Sequence, residues 1–186
     1  MANRVYLDLG SNIEPEQNLP AAVELLTKLS NLLAVSQVWE TKPLGMPEQP
    51  NFLNVGVLVE TKLSAAEFKR TVISNIEQTL GRVRTENKNA PRTIDIDIIL
   101  FNNDIFELDG RHIPNKELLE RPFVAASLAE IAPDTKHPET GQTPREIAHS
   151  FNPADGDMLS RPDVSEALAK IKHKQIIDNT VMASGK

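Results

Sequence analysis

The segment PRTIDIDIILF, residues 91–101, sets Asp95 and Asp97 into a run that otherwise reads as a buried strand. Ile94, Ile96 and Ile98 alternate with the two acids, so the carboxylates share one face of a pleat and the isoleucines share the other. Side chains two residues apart on a strand lie about 6.5–7 Å from each other. Aspartate is depleted in strands, and like charges on one face repel. A parallel Asp-x-Asp pair presents oxygen ligands to a hard cation. Magnesium in particular takes one or two carboxylates and completes its shell with water and substrate phosphates. The competing reading is an exposed edge strand with incidental charge.

The chain that feeds this strand favours the cation. Residues 81–93, GRVRTENKNAPRT, carry Arg82, Arg84, Lys88 and Arg92 against Glu86 alone. They form a basic island in a chain of 26 acidic and 20 basic residues, net charge −6. The planar fork of arginine suits bidentate phosphate contacts and stabilises charge that develops during phosphoryl transfer. Acids that hold cations beside arginines that hold phosphate oxygens are the parts of a nucleotide-triphosphate transferase. There is no Walker GxxxxGK[ST] motif and no kinase-type glycine-rich loop with its partner lysine, so ATP would be bound another way.

Composition narrows the classes further. The 186 residues, 40% hydrophobic, suit one domain with a proper core, or one domain plus an appendage. The absence of cysteine excludes disulfides, thiolate nucleophiles and Cys-based zinc sites. No apolar run is long enough to span a bilayer, and MANRVYLDLG enters a strand without a signal-peptide core. The expected setting is therefore cytoplasmic, with no membrane partner. The acidic balance argues against generic nucleic-acid binding, and no strand has the aromatic pattern of a ferredoxin-like RNA-binding module. His112, His137, His149 and His173 show no metal-ligand spacing.

The elements that must position these groups can be read from periodicity. RVYLDLGSN is a first strand. Asn18 can cap a helix with Pro20 in its first turn, and apolar residues recur at helical spacing from Leu19 to Leu33. AVSQVWET is a second strand, the Pro-rich KPLGMPEQPN a loop, and FLNVGVLVET a third strand with Leu53, Val55, Val57 and Val59 on one face. Ser64 and Glu67 form a capping box for a helix with Phe68, Val72, Ile76 and Leu80 as its stripe, ended by Gly81. The strand TIDIDIILF follows. The order β-α-β-β-α-β predicts an α+β fold, a ferredoxin-like sandwich with extra C-terminal helices. Those begin at Pro122 and at Thr143, the latter with a second capping box to Glu146. Residues 1–151 are expected to form the catalytic domain. Residues 152–186 form a polar, partly helical extension, frayed at SGK, that carries no candidate site residue and is expected to be dispensable for chemistry.

Several separated motifs occur together in one order: DLGSN, ETKPLG, QPNFLNVGV, GRVR…APRTIDIDIILF, ERPF and EIAPD. Over residues 5 to about 150 the chain resembles the 6-hydroxymethyl-7,8-dihydropterin pyrophosphokinase (HPPK) family of folate biosynthesis. The resemblance implies a ferredoxin-like core and transfer of pyrophosphate from Mg-ATP to the pterin hydroxymethyl group, with release of AMP. It implies two magnesium ions on Asp95 and Asp97, with Arg82 and Arg92 assisting transfer. Arg84, Arg121, Glu77 and Ile98 match ATP-binding positions. Phe52 and Phe123 match the aromatic pair that sandwiches the pterin, and Thr41, Leu44 and Asn54 match other pterin-pocket positions. The expected partners are ATP and the reduced pterin, and the expected state is a monomer. Judged without the resemblance, Phe52 and Phe123 read as core, Glu77 as a solvated helix face and Arg121 as half of a surface ion pair. The chain departs from the family pattern at Asn89-Ala90, where aromatic-glycine is usual, and at Asn115, where histidine follows the proline. A third departure is Gly110, where arginine is frequent and Arg111 stands next to it. These departures motivate an alternative, a non-catalytic paralogue that binds pterin or nucleotide without turnover.

Overall fold

Strand β1 (Asn3–Ser11) is the axis of the molecule because its alternation lets both faces be covered. Val5, Leu7 and Leu9 enter one core, while Tyr6 enters a second core on the opposite face. The structure, a computed structural model, describes residues 2–87, 89–152 and 158–184, the last three by their backbone. Lys88 of the basic island and the last two residues of SGK lie outside them.

β1 pairs antiparallel with β3 (Phe52–Thr61) on one side and β4 (Asp95–Phe101) on the other. β3 pairs with β2 (Asn31–Thr41), giving the order β4-β1-β3-β2. Helix α1 (Pro15–Leu29) connects β1 to β2. The connection from β3 to β4 runs through α2 (Ala65–Phe68), a π-helical turn (Lys69–Ile73) and α3 (Ser74–Thr79). This is the βαββαβ sandwich expected from the sequence. Its first core packs Leu19, Val23, Leu26, Phe68, Val72 and Ile76 against the valines of β3 and Ile96 and Ile98 of β4.

The opposite face of the sheet is covered too. Beyond β4, the hairpin β5 (Phe106–Leu108) and β6 (Arg111–Ile113) leads into α4 (Glu117–Glu120), α5 (Pro122–Ile131) and α6 (Pro144–Ser150). Leu118, Val124, Leu128 and Ile147 close a second core over Tyr6, Leu58 and Ile99. Helix α5 approaches the sheet at Gly56, where a Cβ would come within 2.8 Å of the Ser127 Cβ, so only glycine lets the layers meet there.

Both predicted capping boxes form, Ser64 with Glu67 and Thr143 with Glu146. Three local expectations change. The helical spacing read as far as Leu33 stops at Leu29, and Leu33 lies in β2, which already begins at Asn31. Helix α1 begins at Pro15, three residues before the predicted Asn18 cap, because proline fits the first helical position. The Asn18 side chain instead donates to the Ile13 carbonyl at 2.6 Å and fastens the turn. The π-helical turn, with its extra residue, brings Ile73 into the core beside the predicted stripe and turns Glu77 inward as well.

The C-terminal extension packs on the body. β7 (Leu159–Ser160) adds a fifth strand beside β2, and α7 (Pro162–Ser184) sends Val164 and Leu168 into the first core. Burying one such leucine stabilises by about 1.5–3 kcal/mol. Leu168, 0% exposed, is therefore expected to cost about 2–5 kcal/mol when replaced by alanine. Denaturant unfolding followed by the fluorescence of the single Trp39 should remain one transition with a lowered midpoint. A loss below about 0.5 kcal/mol would mean that α7 rides loosely on the sheet.

Candidate active site

The antiparallel register assembles the site. Asn54, Gly10 and Asp95 lie side by side across β3, β1 and β4, and in the next row lie Gly56, Asp8 and Asp97. Because side chains alternate, Asp8, Asp95 and Asp97 all rise from one face, opposite the isoleucine core. They form the floor of an open cavity of about 690 Å³ that is walled by the loop 42–51, the hairpin and the α4–α5 junction.

Three carboxylates this close need counter-charge. Asp95 takes Arg92 and, at 3.7 Å, Arg82. Asp97 takes Arg111 from β6. Asp8 is only 8% exposed, and its Oδ1 has no hydrogen-bond partner among the described residues. Burial pushes the Asp8 carboxyl well above its ordinary value, and the charges of Glu117, Asp97 and Asp95 add to this. Burial, then the Asp95 charge, pushes Asp97 up to about 6, although Arg111 pulls the other way. In the metal-free fold Asp8 and Asp97 resist ionisation. A bound cation would reverse that preference.

The nucleotide candidates divide into two groups. Arg92, Asp95, Asp97 and Arg121 border the cavity. Glu77 does not border it; it is 5% exposed beneath the edge of β4, not a solvated helix face. Its carboxylate accepts from the Ile96 backbone N–H at 3.2 Å and from the Arg84 guanidinium at 2.6 Å. Through that ion pair Glu77 ties the arginine loop to the edge strand. The Ile98 side chain lies in the core on the opposite face of β4 and leaves only its backbone for a ligand.

The pterin candidates converge at the other end. Phe52 and Phe123 are half-buried and line the same cavity from different elements, as do Thr41 and the exposed Leu44. Asn54 donates to Thr41 Oγ1 at 2.9 Å and to the Trp39 carbonyl at 3.3 Å. Its Oδ1 faces Gly10, where a Cβ would stand 3.1 Å away, so glycine keeps that acceptor open. The Arg92 guanidinium lies 5.6 Å from the centre of the Phe52 ring, within cation–π range, and bridges the two ends of the site.

Sequence reasoning passed over Asp8, although an acid between Leu7 and Leu9 in a strand is the same anomaly that singled out Asp95. It also passed over Asn12. That buried side chain donates to Gln49 Oε1 and the Pro50 carbonyl and accepts from the Arg92 backbone, so it joins both loops to β1. Gln49 in turn donates to the Asn89 carbonyl, which brings the loops together at the mouth of the cavity. Asn115 and Gly110, two departures from the family pattern, also line the cavity, and the Asp97 partner is Arg111.

A ferredoxin-like sandwich whose open sheet face gathers acids, arginines and an aromatic slot has the build of a nucleotide-using transferase. The chain belongs to the 7,8-dihydro-6-hydroxymethylpterin-pyrophosphokinase (HPPK) family, whose model matches residues 6–133. It is 35% identical over 151 residues to the 2-amino-4-hydroxy-6-hydroxymethyldihydropteridine pyrophosphokinase of Pseudomonas aeruginosa, covering 80% of this chain and 92% of that one. It is 41% identical over 134 residues to the enzyme of the same name from Bacillus subtilis, covering 70% and 79%. To the folic acid synthesis protein fol1 of Schizosaccharomyces pombe it is 38% identical over 157 residues, 83% of this chain but 21% of that protein. The fold is similar to that of Plasmodium falciparum HPPK-DHPS, wild type with pteroate, at TM-score 0.65 and 16% identity, covering 80% of this chain and 44% of that one.

The raised carboxyl of Asp97 sets a pH dependence. Its ordinary value is 3.8 and its folded value about 6, so between these the folded state keeps a proton that the unfolded state releases. Stability in metal-free buffer should fall as pH rises through that window and level off above it. Asp97→Asn should flatten part of the decline and be more stable than wild type at pH 7. Denaturation midpoints across the window check this, and an unchanged slope would contradict it.

Proposed function

We propose that the chain transfers the pyrophosphoryl group of ATP to the hydroxymethyl oxygen of 6-hydroxymethyl-7,8-dihydropterin and releases AMP, a step of folate biosynthesis. The observation that carries this reading is the placement of the acid row and the Phe52–Phe123 slot on one sheet face, with Arg92 touching both. Family membership and the names of the bacterial relatives support the same reaction.

The donor set fits magnesium. Among the described residues no group of three or more His, Asp or Glu is arranged to hold a metal ion alone. Asp95 and Asp97 offer the one or two carboxylates that a magnesium ion takes when substrate phosphates and water supply the rest. Bound there, magnesium would neutralise the triphosphate and polarise the bond to be broken. Two ions are the proposed number.

The remaining work falls to the chain's own residues. Arg82 and Arg92 stabilise negative charge on the group in flight, and Arg84 and Arg121 hold phosphate oxygens. The Ile98 backbone meets the nucleotide at the β4 edge, and Glu77 serves it from behind by holding Arg84 there. Phe52 and Phe123 stack on the pterin, while Asn54, Thr41 and the loop around Leu44 meet its polar edge and rim. As the hydroxymethyl oxygen bonds to the β-phosphorus and gives up its proton to solvent, the bond from that phosphorus to the α–β bridging oxygen breaks and AMP leaves with that oxygen. The protein supplies position and charge rather than covalent chemistry. No helix among the described residues is long and apolar enough to cross a membrane. A monomer acting in the cytoplasm is proposed, the location supported by the cysteine-free composition.

AMP formation from ATP, magnesium and the reduced pterin tests the reading, and no AMP would leave the non-catalytic alternative. Asp97→Asn should lose nearly all turnover. Arg82→Ala should keep most ATP binding and slow transfer by about 10³-fold, the scale of a lost arginine finger. Phe52→Ala and Phe123→Ala should weaken pterin binding by about 1–3 kcal/mol, by analogy with bases stacked on aromatic residues. Equal losses for ATP would mean that the rings are only core.

A further inference from the structure

The C-terminal extension reaches the end of β2 on the pterin side through the β7 pairing of Leu159 and Ser160 with Glu40 and Trp39, and through the side chain of Arg161. Arg161 stands between β7 and α7, and its backbone N–H donates to the Val38 carbonyl of β2 at 3.0 Å. Its guanidinium fork meets three carboxylates on three elements: Glu16 in the first turn of α1 at 3.1 Å, Glu40 near the end of β2 at 3.1 Å, and Asp163 at 2.8 Å. An isolated surface pair contributes little, but one guanidinium shared among three anchored acids holds their elements at fixed spacing.

The Glu40 contact is the one that bears on the site. Its second oxygen accepts from the Asn51 side chain at 2.9 Å. Glu40 precedes Thr41 and Asn51 precedes Phe52, and Thr41 and Phe52 are the last paired residues before the loop 42–51. The chain Arg161–Glu40–Asn51 therefore closes the base of that loop from outside the sheet. On the inner side Asn12 holds Gln49 and Pro50. The returning arm of the loop is gripped from both sides, three residues from Asn54 and next to Phe52.

We propose that Arg161 is a positioning residue for the pterin: it fixes the Glu40–Asn51 clasp and so sets the spacing of Thr41 and Phe52 across the mouth of the slot. The proposal rests on the pterin reading above. It replaces the expectation that the extension is dispensable for chemistry, because a loop organised before the substrate arrives need not be ordered by it. The Arg161–Glu40–Asn51 chain itself includes no contact to the arginine loop, which Asn12 and Gln49 hold from the inner side, so its effect falls chiefly on one substrate.

Full-length wild type, Arg161→Met, Glu40→Ala and Leu168→Ala are compared for KM of the pterin, KM of Mg-ATP, kcat, Tm and amide exchange across residues 42–51. Arg161→Met and Glu40→Ala should raise the pterin KM about tenfold, the scale of leaving one or two side chains to be ordered on binding. Both should speed exchange in the loop and leave the ATP KM near the wild-type value, and Arg161→Lys should recover only part of the loss. Leu168→Ala should lower Tm without either change. The proposal is overturned if Arg161→Met lowers Tm while pterin KM and loop exchange stay at wild-type values, or if Leu168→Ala reproduces the KM shift. Should Arg161→Met fail to fold, Glu40→Ala, which spares the pairs to Glu16 and Asp163, decides the matter. If wild type forms no AMP, the functional reading falls, while loop exchange still reports whether Arg161 holds the clasp.

Discussion

A sheet face that carries Asp8, Asp95 and Asp97 on adjacent strands is under electrostatic load, and much of the surrounding structure answers it. Each carboxylate is partly or wholly withdrawn from water, where its charge is least favoured and repulsion is least screened. Three arginines from two segments converge on the row: Arg82 and Arg92 from the loop before β4, and Arg111 from the hairpin after it. A floor of this kind is poised for a multivalent cation. The same arginines that balance the acids are suited to turn to phosphate when metal takes their place.

The fold makes that arrangement possible by assigning opposite duties to the two sides of β4. Ile94, Ile96 and Ile98 anchor the strand in the first core, so the aspartates cannot rotate away from the cavity without exposing three isoleucines. The strand is at the sheet edge, yet Glu77 meets its Ile96 N–H from the helix side, which satisfies a donor that would otherwise be open. Asn12 and Gln49 then connect the arginine loop and the Pro-rich loop to each other and to β1. Both loops are thereby held to the same strand.

The sequence carried the parts of this account that depend on periodicity and local chemistry. The βαββαβ order, both capping boxes and the shared face of Asp95 and Asp97 are properties of short windows, and all appear in the structure. What escaped depends on register and on distant pairing. That Asp8 lies beside Asp97 follows from β1–β4 pairing across nearly ninety residues of chain. The burial of Glu77 follows from a π-helical turn that no 3.6-residue stripe reveals. The start of α1 was misjudged because Asn18 looked like a cap, whereas Pro15 already supplies the first turn. The reach of the extension is invisible because Arg161 has no pattern of its own; its partners outside the extension are Glu16 and Glu40, far away in sequence.

The central claim is that the acid row is completed by magnesium and nucleotide phosphate together. Calorimetric titration of a non-hydrolysable ATP analogue, with magnesium and then with the metal chelated, measures this directly. The account predicts that binding in magnesium is tighter by about 10²-fold or more, because the unneutralised phosphates would otherwise face three carboxylates partly or wholly withdrawn from water. Equal affinity with and without the metal would show that the arginines alone receive the nucleotide and that the aspartates are not its metal site.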